Sequence, residues 1–298
     1  SAFGHNALLY NIIGSSNVAI GFETLFSDVS GVNSTAVGYQ ALRGSTTGYN
    51  DAFGYRALYL NTTGVDNVAI GRNSLRFNTI GTNNTAIGSL ALTANTTGGG
   101  NTAVGRSSLS GNTFGKYNSA FGYQSLFSNT TGDFNNAFGF QSLRNNTIGA
   151  NNSAFGIYAL QSNTTGVNNT AMGRSALGTN TRGSNNSAFG IYALLSNTTG
   201  SYNTAVGNNS LRNNTIGVYN TAVGSSALSY NTTGNNNTAM GFYSLLLNTS
   251  GGNNSAFGFY ALRNNTIGSN NTAVGYQSLF SNTTGSGNSA FGHYSLRY

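Results

Sequence analysis

The sequence predicts an all-β fold, a β-solenoid or parallel β-roll of about eighteen 17-residue turns. Three observations carry that expectation. The tripeptide Ala-φ-Gly, with φ as Val, Phe, Ile or Met, starts at residues 2, 19, 36 and 52 and then every seventeen residues to Ala290. A full turn reads A-φ-G-x-x-[AS]-L-x-x-N-T-[TI]-G-x-x-N-[ST], and a period this short decides the architecture before any other feature. Gly, Asn and β-branched Thr and Val oppose helix, and no apolar spacing of three to four residues is sustained. Short strands broken by Gly and Asn fit instead, each stacked about 4.8 Å from its equivalent in the next turn.

The columns can be justified in order. Ala-φ-Gly is the strand, with Ala small because the opposite wall is close. The first Gly, like the second one ten residues later, supplies a corner with positive φ or lets two walls approach without a Cβ. Leu, in the seventh column (Leu58, Leu75, Leu92 and onward), is the one large residue that is apolar in every turn, so it fills the interior. Asn in the tenth column (Asn61, Asn78, Asn95) tolerates left-handed geometry, caps its turn with the side-chain amide, and can bond along a ladder of its own kind. The turn starting at Ala36 is one residue short, the gap falling between Gly48 and Asn50.

The φ column poses a problem for a lone coil. Neighbouring strand residues point to opposite faces, so Ala and φ lie on different sides although both are apolar. Phe3, Ile20, Val37, Phe53, Ile70, Ile87, Val104, Phe121, Phe138, Phe155, Met172, Phe189, Val206, Val223, Met240, Phe257, Val274 and Phe291 would then form an exposed stripe. A stripe of that length exceeds what a soluble monomer normally shows. The preferred reading is lateral packing of copies on it, as a homotrimer. At roughly 100 Å² per residue, each chain would bury on the order of 1,800 Å². The other reading turns φ inward with Leu and Ala outward.

Composition sets further bounds. Charged residues are only 6% of the 298, so solubility falls to Asn, Thr and Ser. There is no cysteine, hence no disulfide or thiolate site. The net charge of +7 comes from scattered cations, among them Arg43, Arg76, Arg144, Arg212, Arg263 and Arg297 just after the Leu. They form no dense stripe, so nucleic acid is not expected as a partner. No apolar run is long enough for membrane insertion. With no linker or composition shift, residues 1–298 read as a single continuous repeat array. The chain opens and stops inside a turn, which suggests a segment or mature part of a longer fibre and invites end-to-end stacking into a filament.

Units such as Asn84-Thr85-Ala86-Ile87-Gly88 and Asn118-Ser119-Ala120-Phe121-Gly122, followed by Thr-Thr-Gly, resemble the head repeats of trimeric autotransporter adhesins and related repeats of phage tail fibres. The resemblance covers all eighteen turns. It implies a left-handed parallel β-roll, three chains about an axis, and a place on the cell surface or outside the cell. This repeat is longer than that family's usual one, by a Leu-x-x-Asn segment.

Little chemistry is available. The acids are Glu23, Asp28, Asp51, Asp66 and Asp133, and the histidines His5 and His293 sit in the first and last turns. These groups cannot converge on a catalytic or metal site, so no enzyme activity, cofactor or metal is expected. Gly98-Gly99-Gly100 lacks the Lys-Ser/Thr of a phosphate loop and reads as a loop. Asn-x-Ser/Thr triplets such as Asn61-Thr62-Thr63 and Asn145-Asn146-Thr147 read as turn composition before they read as glycan acceptors. The expected function is a non-catalytic structural or adhesive extracellular fibre. The alternatives are a phage tail fibre segment, an ice-binding solenoid using Thr ranks, or a module binding surface glycan through Tyr123-Gln124, Phe259-Tyr260 and Tyr276-Gln277.

Overall fold

The computed structural model describes residues 1–298, which form an all-β parallel solenoid without helices. The residues fall into two compact units, Ser1–Ala150 and Asn151–Tyr298. The first holds nine strands, from β1 (Ala2–Phe3) to β9 (Asn136–Phe138). The second holds nine more, from β10 (Ser153–Phe155) to β18 (Ser289–Phe291). Within each unit every strand pairs in parallel with the equivalent strand of the next turn, Ala opposite Ala and φ opposite φ. The short turn keeps this register, because Ala36 still pairs with Ala52. Its missing residue is left out at a corner, where the Tyr49 N–H donates to Val32 O at 2.8 Å.

The turn Ala69–Thr85 shows how the coil closes. Ala69 is fully buried, and Ile70 beside it is 40% exposed. Gly71 then bends the chain at φ 128°. Three more corners are left-handed and carry side chains: Asn73 (φ 57°), Leu75 (φ 47°) and Asn83 (φ 58°). These corners re-aim the backbone groups along the coil axis. The Asn73 N–H donates back to Tyr55 O at 2.9 Å, whereas the Leu75 N–H donates forward to Ala91 O at 3.0 Å. Each turn is thereby bonded to both its neighbours although its formal strand is only a few residues long.

The left-handed corners are not all where the sequence pointed. The first Gly does take positive φ, but the second Gly and the tenth-column Asn do not. The second Gly serves close approach instead: a Cβ on Gly115 would lie 2.6 Å from Gly132 O and 2.8 Å from Asn129 Nδ2. Positive φ falls on the fifth, seventh and fifteenth columns, and Leu occupies the seventh in every turn, at φ between 45° and 53°. This explains the choice of Leu. A β-branched side chain is a genuine outlier in that region, so Val and Ile are excluded from the core column while they thrive in φ.

The interior is only half apolar. Leu and the two small columns fill one side, while the tenth- and sixteenth-column Asn residues lie inside with no exposed surface in most turns. Each tenth-column amide is fully engaged: Asn78 Nδ2 donates to Gly81 O (3.0 Å) and Asn61 Oδ1 (2.8 Å). The second ladder pins the strand entry. Asn84 donates its backbone N–H (3.0 Å) and Nδ2 (3.1 Å) to Asn67 Oδ1, and Nδ2 also reaches Gly98 O at 2.9 Å. Where the sixth column is Ser, its hydroxyl bonds within the turn, as Ser74 Oγ does to Gly71 O at 2.9 Å. Buried polar groups are tolerable only when so paired.

Candidate functional site

With the interior committed to structure, function must lie on the outer faces. The strand face carries the φ stripe, and the structure turns φ outward and Ala inward in both units. In the first unit Ile20, Phe53, Ile70 and Ile87 are exposed, as are Phe155, Met172, Phe189, Val206, Met240 and Phe257 in the second. Val37, Val104, Phe121, Phe138, Val223 and Val274 are half-buried by their stacked neighbours; the Phe121 and Phe138 rings lie 4.7 Å apart. Phe3 and Phe291, on the outermost strands, are the most open at 80% and 68%.

Around the Gly corner runs the fourth column, aromatic towards both ends of the array but broken by Arg72, Ser89, Arg106, Arg174, Asn208 and Ser225. His5, Phe22, Tyr39 and Tyr55 stack in sequence at 5.4, 5.1 and 5.3 Å. Phe242, Phe259, Tyr276 and His293 do the same in the second unit, at 5.1, 5.6 and 5.1 Å. The turn spacing brings ring on ring, so most ring faces are covered by neighbours and only edges point outward. That limits the expected sugar-stacking role of Tyr123, Phe259 and Tyr276. Gln124, beside Tyr123, accepts from Gln141 Nε2 (3.0 Å) and Arg144 Nε (3.2 Å). The two histidines cap separate aromatic ladders, and no group of three His, Asp or Glu residues is placed to hold a metal.

The corner at Gly98–Gly100 is structural. Gly100 is left-handed at φ 69°, and the Tyr117 ring folds over the space that a side chain would fill. The Thr columns are occupied as well. Thr79 O accepts the N–H groups of Thr62 (2.9 Å), Thr63 (3.2 Å) and Gly64 (3.3 Å), plus the Thr62 hydroxyl at 2.9 Å. Hydroxyls bound in this way, with Ile80, Phe114, Ile148 and Arg182 interrupting the next column, leave no continuous Thr rank for an ice lattice. The Asn-x-Ser/Thr triplets divide too. Asn61 is buried inside its ladder, whereas Asn83, in Asn83-Asn84-Thr85, is exposed at a corner.

The third face, formed by the fifth, eighth and ninth columns, holds a cleft of about 270 Å³ in the second unit. Ser229 and Leu246 make its floor, Arg212 and Arg263 stand at its ends, and Asn209, Ser226, Tyr230 and Tyr243 complete the walls. Sequence reasoning noticed the arginines only as a scattered column. It missed the cleft because the void comes from small residues in two columns at once. In the first unit an eighth-column arginine behaves differently: Arg43 Nε pairs with Glu23 Oε2 at 2.7 Å. That bond, with a second from Gln40, holds the Glu23 carboxyl below the usual range. No protein-family model, curated protein or solved structure was found to match the chain.

Proposed function

We propose that this chain is a non-catalytic structural and adhesive fibre unit, working outside the cell, whose copies pack side by side on the φ stripe. The single observation behind it is the outward φ row, apolar in every turn. The area needed can be checked. An aromatic side chain presents 150–250 Å², so a Phe about 40% exposed offers roughly 60–100 Å². Nine φ residues then give each unit on the order of 600 Å², less than a full-length projection suggests because stacked neighbours already cover part. A standard interface needs about 800 Å² a side, and the two units of one chain together offer more than that.

A trimer suits this geometry, since three copies about an axis close the stripe whereas two leave one flank wet. The resemblance of the Asn-[Ser/Thr]-Ala-φ-Gly strand to adhesin head repeats supports the same arrangement. A tail-fibre segment fits the resemblance equally and shares the assembly. The test is the mass in solution by light scattering, for the parent and for a variant with alternate φ residues changed to Asp. The expected result is a trimeric parent and a monomeric variant. A parent that is monomeric at high concentration refutes the assembly.

A further inference from the structure

The cleft between Arg212 and Arg263 does not belong to the stripe or to the aromatic ladders. We infer that it is a binding site for a carboxylated sugar, a hexuronate or a sialic acid, held through its acid group by the arginines.

Charge favours an acidic ligand. Residues 151–298 contain five arginines and no Asp, Glu or Lys. Arg212 and Arg263 therefore have no carboxylate in their unit to pair with, unlike Arg43 in the first. Their guanidinium groups rest against rings, Arg212 5.6 Å from the Tyr192 centroid and Arg263 5.5 Å from that of Tyr260. The planar guanidinium matches a carboxylate bidentately, which a neutral ligand cannot exploit. Three turns separate the two arginines, about 14 Å between backbones at the stacking distance, and both line the cleft between them.

One acceptor in the cleft lacks a donor. Asn209 lines the cleft, its amide nitrogen donates to Asn208 Oδ1, and its own Oδ1 is buried with no partner. A buried acceptor left unpaired is costly. A ligand hydroxyl would satisfy it, and an inorganic anion without protons would not.

The cleft also offers a ring face. Tyr243 stacks on Tyr260 on one side, at 5.7 Å and 9°. On its other side the fifth column holds Ser226, with Asn209 beyond it, so no ring of that column covers this face. Here an aromatic surface, two cations and a hungry acceptor converge, the combination that a sugar carrying C–H groups, hydroxyls and one carboxylate satisfies at once. The volume lies near the lower end of ligand clefts, roughly 300–1,000 Å³, which suits one or two sugar rings.

This extends the adhesive part of the proposed function to a ligand and rests on that reading only there, since a monomeric chain would bind the same acid. The experiment is saturation-transfer NMR titration of the whole chain with sodium glucuronate and with N-acetylneuraminate, using glucose and inorganic sulfate as comparisons, sulfate binding being read by its competition with the acids. At least one acid should bind, with affinity at least tenfold above that for glucose or sulfate. Arg212→Gln should lower it at least tenfold, and so should Ser229→Tyr, which fills the floor with a residue that the same column carries at Tyr59. Arg174→Gln, on the fourth column, should leave it unchanged. Failure of both acids to bind, glucose or sulfate binding equally well, or indifference to Arg212→Gln overturns the site, whatever the mass in solution.

Discussion

Asn78 donates its side-chain nitrogen to the side-chain oxygen of Asn61, seventeen residues earlier, across 2.8 Å of a fully buried interior. Its own oxygen accepts from Asn95 at 2.6 Å, and its nitrogen also caps Gly81 O at 3.0 Å. The interior is thus held by a chain of amides running through several turns, in which every member serves its neighbours. Bonds within such a chain polarise one another, and losing one member strands two others.

Asn78→Ala should therefore cost about 2–4 kcal/mol, from stranding Asn61 Oδ1 and removing the acceptor of Asn95, while Gly81 O keeps its bond from Asn67 Nδ2 at 2.9 Å. In a repeat array each turn contacts only its neighbours, so the loss should be local. Hydrogen exchange would show faster amides in the turns around residues 61–98 and unchanged protection near residues 110–130. Uniform loss of protection across the chain would contradict this account.

The two kinds of Gly position should respond oppositely to substitution. A Cβ on Gly88, at φ 131°, would sit 2.6 Å from Gly105 O and 2.7 Å from its carbonyl carbon. Gly88→Ala should cost at least about 1–3 kcal/mol, from overpacking added to backbone strain. Gly287 also has positive φ, at 74°, but faces open space in a column usually held by Asn. Gly287→Asn should be neutral, or stabilise by up to about 1 kcal/mol through the unfolded chain. Thermal melts of the two variants give the comparison directly.

Much of this fold could be read from the repeat. The period, the parallel stacking, the buried Leu and the Asn ladder are all consequences of identical residues returning every seventeen positions. The left-handed corners were missed because the usual markers, Gly and Asn, drew attention to the wrong columns. A better signal was present. The fifth, seventh and fifteenth columns never contain Val, Ile or Thr in any turn, although the chain is rich in them. That absence is the mark of left-handed backbone, whose sterics punish branching at Cβ. The cleft was beyond reach of a column-by-column reading, because it exists only where Asn209, Ser226, Ser229 and Leu246 become neighbours through the coil.

Asp28 interrupts the tenth-column ladder and should leave a signature in pH. It lies fully buried, and burial raises its carboxyl above the usual range, partly opposed by hydrogen bonds from the Gly31 N–H and the Asn11 amide. A raised acid binds its proton more tightly folded than unfolded. Its contribution to stability is thus complete below the unfolded value of about 3.9 and is lost as pH climbs through the raised folded value. Asp28→Asn should flatten this segment of the pH profile and raise the melting temperature at neutral pH, since an amide there can donate as Asn61 does. A variant that melts lower than the parent at pH 7 would show that the carboxylate is needed.

The seventh column permits a sharper test, because packing and backbone geometry make opposite demands on one residue. Leu109 is fully buried at φ 51°. Leu109→Ala should cost about 2–5 kcal/mol from lost burial and the cavity left behind. In ordinary strand or helix backbone, Gly would be worse than Ala by roughly 0.5–1 kcal/mol because it has more conformational freedom to lose. At left-handed φ the order should reverse or vanish, since a Cβ there costs about 1–2 kcal/mol that Gly does not incur. Leu109→Gly should consequently be no less stable than Leu109→Ala, although it removes one more carbon. At Ala103, in the extended strand of the same turn, the single substitution Ala103→Gly should show the ordinary order, with Gly less stable than the parent Ala. Chemical denaturation of the variants decides it: if Leu109→Gly proves clearly less stable than Leu109→Ala, the left-handed corner is not what restricts this column to Leu.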